Sequence, residues 1–453
     1  MHIIRRPACI IAVSLISILT TPVNVLAEQV LSRDDAVRLA LQYNPRLTMT
    51  EQQQLAAQAN VDVSRGDRLP QLDLSYQARR SDNPLDVFAD KLNTRSVDPA
   101  TDFSITELND PASSSLSMTR LSLVWPVYTG GETVSRVRAA QARAEGAEHG
   151  HHHARAQIAH GTLSAYLQTQ AAEKNVAQFD DAVDAAQHHV NTTRQLVNEG
   201  RIISSDQLTA EVFLSSMQTV REQAREKLRR ARASLAEILG REDFNEMHTD
   251  AWSSENSQIE LSSIEQIWQD TLIRRQDLSA LRSDREAAQA DLEAARAAYS
   301  PKFKLLANQD WYEGENSWSI AGVVSVNLYA GGRTSHSVDA SKAQATMKEA
   351  AIRDKQLAIR RELSEAHARY TSAVERLRIS GDHIEKARSS VDQITRRYGQ
   401  GRTILIDVLQ AERALVEIRS QALAAALDLE LAVIDLKLAN GSLMQAYADM
   451  ESK

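Results

Sequence analysis

The side chains best suited to chemistry in this chain are crowded into one stretch: His149, His151, His152 and His153. Neutral imidazoles are ordinary ligands for divalent transition metals. Neighbouring residues on a helix point in different directions, so only His149 and His153, four apart, share a face. No His-Glu-x-x-His context accompanies them. The expectation is a solvated helix surface, a tunnel-facing one if the chain encloses a tunnel, with no metal bound. His188 and His189 are a weaker pair of the same kind. No nucleophile elbow, phosphate loop or paired-carboxylate context appears, so the chain is expected to be neither an enzyme nor a cofactor protein.

The sole cysteine, Cys9, removes disulfides and thiolate metal sites from consideration, because it lies in an N-terminal targeting pattern. Arg5 and Arg6 precede the apolar run Ala8–Leu19, and Val25-Leu26-Ala27 offers small residues for cleavage. Residues 1–27 are therefore expected to be a secretory signal peptide. That stretch holds two arginines and no acid, so the net charge of −8 becomes −10 without it. An acidic balance argues against nucleic acid as a partner. No later run is long and apolar enough for a membrane-spanning helix, which leaves an exported soluble protein or a β-barrel protein.

The remaining residues are duplicated. At an offset of 201, Tyr128-Thr-Gly-Gly matches Tyr329-Ala-Gly-Gly. The match continues through Gly200-Arg201 with Gly401-Arg402, Asp206 with Asp407, Glu211 with Glu412, and Gly240 with Gly441. Upstream the offset becomes 231, pairing Leu69-Pro70 with Ser300-Pro301. The first half thus carries an insertion, Arg79–Ser114, rich in Pro, Asp, Asn and Ser, which reads as a long polar loop at a hairpin tip. The expected units are 28–240 and 241–453. The first holds strands at about 71–80 and 115–125, a long helix at about 132–199 and a return helix at about 204–240. The second holds strands at about 302–312 and 318–328, a long helix at about 333–400, a return helix at about 405–440 and a C-terminal tail.

The strand segments alternate. Leu72, Leu74, Tyr76 and Ala78 oppose Gln71, Asp73, Ser75 and Gln77; Phe303, Leu305, Ala307 and Trp311 oppose Lys302, Lys304, Asn308 and Asp310. In Trp318–Leu328 the apolar face is Trp318, Ile320, Gly322, Val324, Val326 and Leu328. Segment 115–125 is less cleanly phased. Their lengths suit tilted membrane strands, and Trp125, Tyr128, Trp311, Trp318 and Tyr329 fall at strand ends, as interface aromatics do. A soluble sheet with one buried face alternates in the same way. No proline interrupts Glu132–Glu199 or Arg333–Gln400. A three-four repeat runs from Leu363 through Tyr370, Leu377, Ile384 and Val391 to Tyr398, and from Thr162 to Val197 in the first half, as in a coiled-coil seam. Gly200, Gly401, Gly240 and Gly441 mark the helix ends. Four strands cannot close a membrane barrel, and an open edge in lipid is costly, so membrane strands here require at least two copies of the chain.

The Leu69-Pro70 before the first strand, the Tyr-x-Gly-Gly before each long helix, Asn44-Pro45, and Gly401-Arg-Thr-Ile-Leu-Ile-Asp-Val-Leu-Gln-Ala-Glu412 resemble the TolC family of outer-membrane efflux proteins over nearly the whole chain. The resemblance implies a mainly α fold with transmembrane β: a homotrimer sharing a twelve-stranded barrel in the outer membrane of a Gram-negative bacterium, continuous with a periplasmic α-helical tunnel. It implies an exit duct for a tripartite efflux or type I secretion system. The partners would be a periplasmic adaptor protein, an inner-membrane pump of RND, ABC or MFS type, and outer-membrane lipid. Carried over residue by residue, Gly200, Arg201, Gly401 and Arg402 are adaptor-docking tips. Asp407 and Gln410 match the pore gate, where the acid is kept at the first position and lost at the second. Asp407 is equally explained as a first-turn residue favoured by the helix dipole, as its twin Asp206 suggests. Two other readings stand beside the channel: a periplasmic adaptor, and an exported coiled-coil protein that conducts nothing.

Overall fold

The computed structural model describes residues 30–242, 248–252 and 263–451. The expected signal peptide at 1–27 lies outside the described residues. Two helices, α1 (Arg33–Tyr43) and α2 (Pro45–Gly66), lead into strand β1 (Gln71–Ser81). Helices α3 (Pro84–Asn93) and α4 (Ile105–Asn109) follow, then β2 (Ser114–Tyr128), α5 (Glu132–Asn198) and α6 (Ser204–Leu239). The pattern then repeats: α7 (Ile264–Arg274), α8 (Gln276–Arg296), β3 (Lys302–Trp311), β4 (Asn316–Ser325), α9 (Arg333–Gly399) and α10 (Leu405–Ala439).

Insertion 79–114 is not the structureless loop its composition suggests. Asn83 caps α3 through its side chain and Pro84 fills the first helical turn; Ser104 caps α4 in the same way. At the other hairpin, β4 stops at Ser325, so Val326 and Leu328 lie beyond the strand. Strand β2 is longer than its sequence pattern suggests, because a register shift between Trp125 and Tyr128 accommodates Pro126, which has no N–H for the ladder.

The four strands form one antiparallel sheet in the order β1-β2-β3-β4. Helices α5 and α9 have 67 residues each, which gives each a length of about 100 Å. Every seam position from Thr162 to Val197 and from Leu363 to Tyr398 is buried or half-buried. The threonines in the seam satisfy themselves: Thr162, Thr169 and Thr193 donate to carbonyls one turn back at 2.8 Å. Helix α5 is packed on several sides, by α1, α2, α6, α8 and α10, whereas α9 meets α7, α8 and α10 and leaves much of its length exposed.

The two halves are stitched to the return helices by equivalent junctions. Between α1 and α2, Asn44 donates from Nδ2 to the Ile238 carbonyl at 2.7 Å. Between α7 and α8, Arg275 donates from Nη1 to the Ala439 carbonyl at 3.1 Å. The glycines ending α6 and α10 fit against these same breaks. Gly240 has φ +70°, and a Cβ there would stand 2.6 Å from the Tyr43 carbonyl oxygen. Gly200 has nearly the same φ, +69°, but open space around it.

Gly240→Ala is therefore expected to cost more than Gly200→Ala: about 2–4 kcal/mol against about 1 kcal/mol. The check is thermal unfolding of purified protein in detergent, followed by circular dichroism. Equal losses would show that the Tyr43 contact does not constrain the fold.

Candidate functional site

The far ends of the helical hairpins are built alike. Gly200 N–H donates to the Val197 carbonyl and Arg201 N–H to the Leu196 carbonyl, both at 2.9 Å; Gly401 and Arg402 repeat this with Tyr398 and Arg397. This pair of reverse bonds satisfies the last carbonyls of a helix and turns the chain sharply. Arg201 and Arg402 are exposed, and so are Ile203 and Ile404 just beyond them. The return helices then differ. Leu405 and Leu409 are buried among Val183, Ala186, Val190 and Phe213, while Ser204 and Leu208 at the matching positions are exposed, Leu208 by 62%.

Asp407 lies in the first turn of α10, half-buried, and accepts a hydrogen bond from the Thr403 hydroxyl. Gln410 is exposed one turn on. One chain supplies one Asp407, so a ring of carboxylates exists only between copies. Asp206 occupies the matching turn of α6 and faces the Tyr398 hydroxyl at the end of α9. Burial raises the Tyr398 pKa, and the Asp206 charge raises it further. That buried hydroxyl has no hydrogen-bond partner among the described residues. Around it, His189 stands 3.9 Å from Glu412 and Arg413 lies over the Phe213 ring, so α10 is tied to both α5 and α6.

At the opposite end, the register sorts the sheet into two faces. Leu72, Leu123, Ala307 and Ile320 are direct partners across all four strands, as are Leu74, Leu121, Gln309 and Trp318 one step further out. This apolar face is exposed along the edge strands, Leu74 by 71% and Ile320 by 65%. The other face carries Asp73, Ser122, Asn308 and Ser319 as partners, then Ser75, Arg120, Asp310 and Ser317. On it Arg120 grips Asp310 with two bonds, at 2.7 and 3.0 Å. Tyr76, Trp311 and Trp318 lie toward the turn end of the apolar face; Trp125, Tyr128 and Tyr329 lie toward the helices, all exposed. Trp125 also donates to the Arg68 carbonyl at 3.3 Å. Ten-residue strands run about 34 Å along their length, or about 25 Å upright at the usual barrel tilt.

The histidines do not form a freely solvated surface. They fan out around α5: His151 meets Thr50 of α2 at 2.9 Å, His149 meets Gln276 of α8 at 2.8 Å, and His160 meets Asp435 of α10 at 2.7 Å. His149, His152, His153 and His160 line a cavity of about 780 Å³ where α8 gives way to α10 between α5 and α9. Among the described residues no group of three or more His, Cys, Asp or Glu could hold a metal ion. The cavity wall carries a network that the sequence motifs did not single out. Arg275 pairs with Asp277 at 2.6 Å and Glu362 at 2.8 Å, and Lys355 reaches Asp277 at 2.7 Å. Burial alone would raise the Asp277 pKa, but hydrogen bonds from Arg275 and Lys355 outweigh it and hold the carboxyl well below the usual range. Burial pushes His153 the other way, down, with Arg275 and Lys355 adding to the effect against Asp277 and Glu362. Burial of Arg275 signals this network only once α7, α8 and α10 are seen together; its repeat twin Asn44 has a different side chain.

The sequence profile of the family described as outer membrane efflux protein matches residues 36–241 and 267–442. The chain is similar to a membrane protein of Pseudomonas aeruginosa: TM-score 0.78, 20% identity, covering 92% of this chain and 93% of that one. It is also similar to the CmeC outer membrane channel of Campylobacter jejuni, with TM-score 0.74 and 17% identity over 93% and 89% of the two chains. The open state of the MtrE outer membrane channel of Neisseria gonorrhoeae gives TM-score 0.76 and 17% identity over 91% and 89%. A search of curated proteins returns no match.

The junction network sets an acid limit. Asp277 has a depressed folded pKa, so its contribution is full above the unfolded value of about 4 and is lost as pH falls through the folded value. His153, also depressed, adds a loss that begins as pH drops below about 6.5. The unfolding midpoint in detergent is expected to fall in two stages on acidification. His153→Gln should remove the upper stage; Asp277→Asn should remove the lower one and deepen the upper, because the Asp277 charge supports the protonated imidazole. A midpoint flat from pH 7 to pH 3 would rule this out.

Proposed function

The chain belongs to the outer membrane efflux protein family, and from that premise we propose that it is the exit duct of a tripartite efflux or type I secretion assembly. It passively conducts substrates delivered by an inner-membrane pump and a periplasmic adaptor. In this reading each unit, 28–240 and 241–453, supplies two strands to an outer-membrane barrel and one helical hairpin to a periplasmic tunnel. Residues 1–27 direct export. The observation that carries it is the largely apolar face, broken at Gln309, that crosses all four strands at membrane height and is exposed along the edge strands, on a sheet joined to helices of about 100 Å.

The contacts inside the chain supply the pattern for contacts between chains. Strands β2 and β3 join the two hairpins, so β4 of one copy would join β1 of the next in the same sense. Helix α8 bridges α5 and α9. By the same repetition α2 would bridge α5 to a neighbour's α9, which accounts for exposed Met49, Leu55 and Val63 on α2 and Met347 and Leu357 on α9. Likewise α10 packs on α5, so Leu208 and Val212 of α6 would pack on a neighbour's α9. Three copies give twelve strands, the number the family resemblance implies. Gly200, Arg201, Gly401 and Arg402 are then the adaptor-docking tips. Asp407 lines the periplasmic gate, as one carboxylate of a ring that binds cations and repels itself, and Gln410 stands beside it without a second ring of charge.

Purified protein in planar bilayers tests both levels. Heat-modifiable oligomers with stepwise conductance are expected. Asp407→Asn should raise single-channel conductance severalfold and weaken block by multivalent cations. Unchanged conductance and block would remove Asp407 from the gate while leaving the duct. A soluble product without conductance would overturn the duct and favour an adaptor or a structural coiled coil.

A further inference from the structure

The insertion between β1 and β2 is attached to one particular face of the sheet. Side chains alternate, so Arg79 and Ser81 on β1 and Ser114 and Leu116 on β2 share the polar face with Asp73, Ser122 and Asp310. Arg79, Ser81 and Ser114 meet α3. Arg79 holds Asp86 at 2.8 Å and Asp90 at 2.5 Å. Ser81 donates to Asp86 at 2.9 Å and Ser114 to Asp90 at 2.7 Å. Leu116 is buried on this face, and Val87 and Asp90 are buried on α3. Helix α3 therefore folds back over the polar face, at the end of the sheet farthest from the long helices.

A second layer fixes the rest of the insertion. Lys91 pairs with Asp102 at 2.5 Å, and Phe88 meets Phe103 edge to face at 5.7 Å. Arg95, at a left-handed φ of 52°, reaches Glu315 in the turn of the other hairpin at 3.1 Å, so the insertion spans both hairpins. The acids of α3, Asp86 and Asp90, are on the sheet side, and Lys91 is turned to Asp102. The side turned away is apolar: Leu85 and Leu92 share a face with Phe88, and Ile105 and Phe103 extend it. Leu85 is 77% exposed and Ile105 80%.

We propose that residues 82–113 form an outer filter, folded into the mouth of the duct and presenting an apolar rim to whatever leaves it. This rests on the reading of the sheet as part of a barrel, whose polar face lines the lumen. A helix with its side chains is about 10 Å across. One such helix from each copy, held on the inner wall, narrows the opening by an amount the short turn of the second hairpin does not. An apolar rim at a constriction resists hydrated and bulky solutes more than compact or partly apolar ones. Leu85, Leu92, Phe103 and Ile105 set that selectivity, and Arg79 is the positioning residue that holds α3 in place.

Cysteine labelling in intact cells tests it without dependence on the periplasmic gate. The chain's sole cysteine, Cys9, lies in the expected signal peptide. Ser319→Cys on the polar face should react with a small charged maleimide, and Ile320→Cys on the apolar face should not. Equal labelling of the two would overturn the barrel and the filter with it. Given the expected difference, a bulky polyethylene-glycol maleimide should be excluded from Ser319→Cys. Its labelling should rise severalfold when 82–113 is replaced by a short turn like that at 312–316. Arg79→Gln, which keeps the chain length, should also raise it. Bulky-reagent labelling that is the same with and without the insertion, in a chain that passes the first comparison, overturns the filter alone.

Discussion

A sheet edge cannot stay open in lipid. Each unpaired N–H or C=O costs several kcal/mol where no water can reach it, and this chain ends its sheet with two such edges, β1 and β4. In the proposed duct the largely apolar face that runs from Leu74 to Trp318 puts those edges at membrane depth. In the proposed duct further copies close the sheet, and the helices follow the same arrangement. The partly bare faces of α2, α6 and α9 are the helical counterpart of the bare strand edges; in the proposed duct the same neighbour covers both.

The repeat makes this economical in information. One kind of contact, between the end of one unit and the start of the next, occurs inside the chain at β2–β3, α5–α8 and α5–α10. The same geometry applied once more at the chain's boundary would join one copy to another. Where the helical layers change over, Asn44 and Arg275 tie the breaks α1–α2 and α7–α8 to the return helices. The second junction is charged and the first is not, so the two units are equal in frame and unequal in their response to pH.

Much of this was legible in the sequence. The seam from Leu363 to Tyr398 could be read because its three-four spacing is a direct image of helix geometry, and no tertiary contact is needed to see it. The strand faces of β1, β3 and β4 were legible for the same reason. Strand β2 was obscured by Leu116, Met118 and Val124 on its polar face and by the shift at Pro126, which breaks the two-residue period. The order in the insertion is not legible in its sequence, because polar composition hides two local helix starts, at Asn83-Pro84 and Ser104, and because Arg79 finds its acids only after the chain folds back. The four histidines from 149 to 153 look like one group in sequence but part in space: His151 turns to α2, while His149, His152 and His153 line one cavity with His160, whose place there the local spacing does not announce.

The exposed strips also have a consequence for assembly. A single copy in the aqueous periplasm would carry an apolar sheet face, two unpaired strand edges and long half-covered helices at the same time. Its final stability is then a property of concentration as much as of sequence, because the last contacts are intermolecular and obey mass action. The helical hairpins, whose contacts are largely between neighbouring segments, are suited to form early, before any encounter. The sheet is the part that must wait, and its edges are a hazard for as long as it does. The synthesis rate of such a protein is therefore under pressure from both sides: fast enough for copies to meet, slow enough that the wrong edges do not.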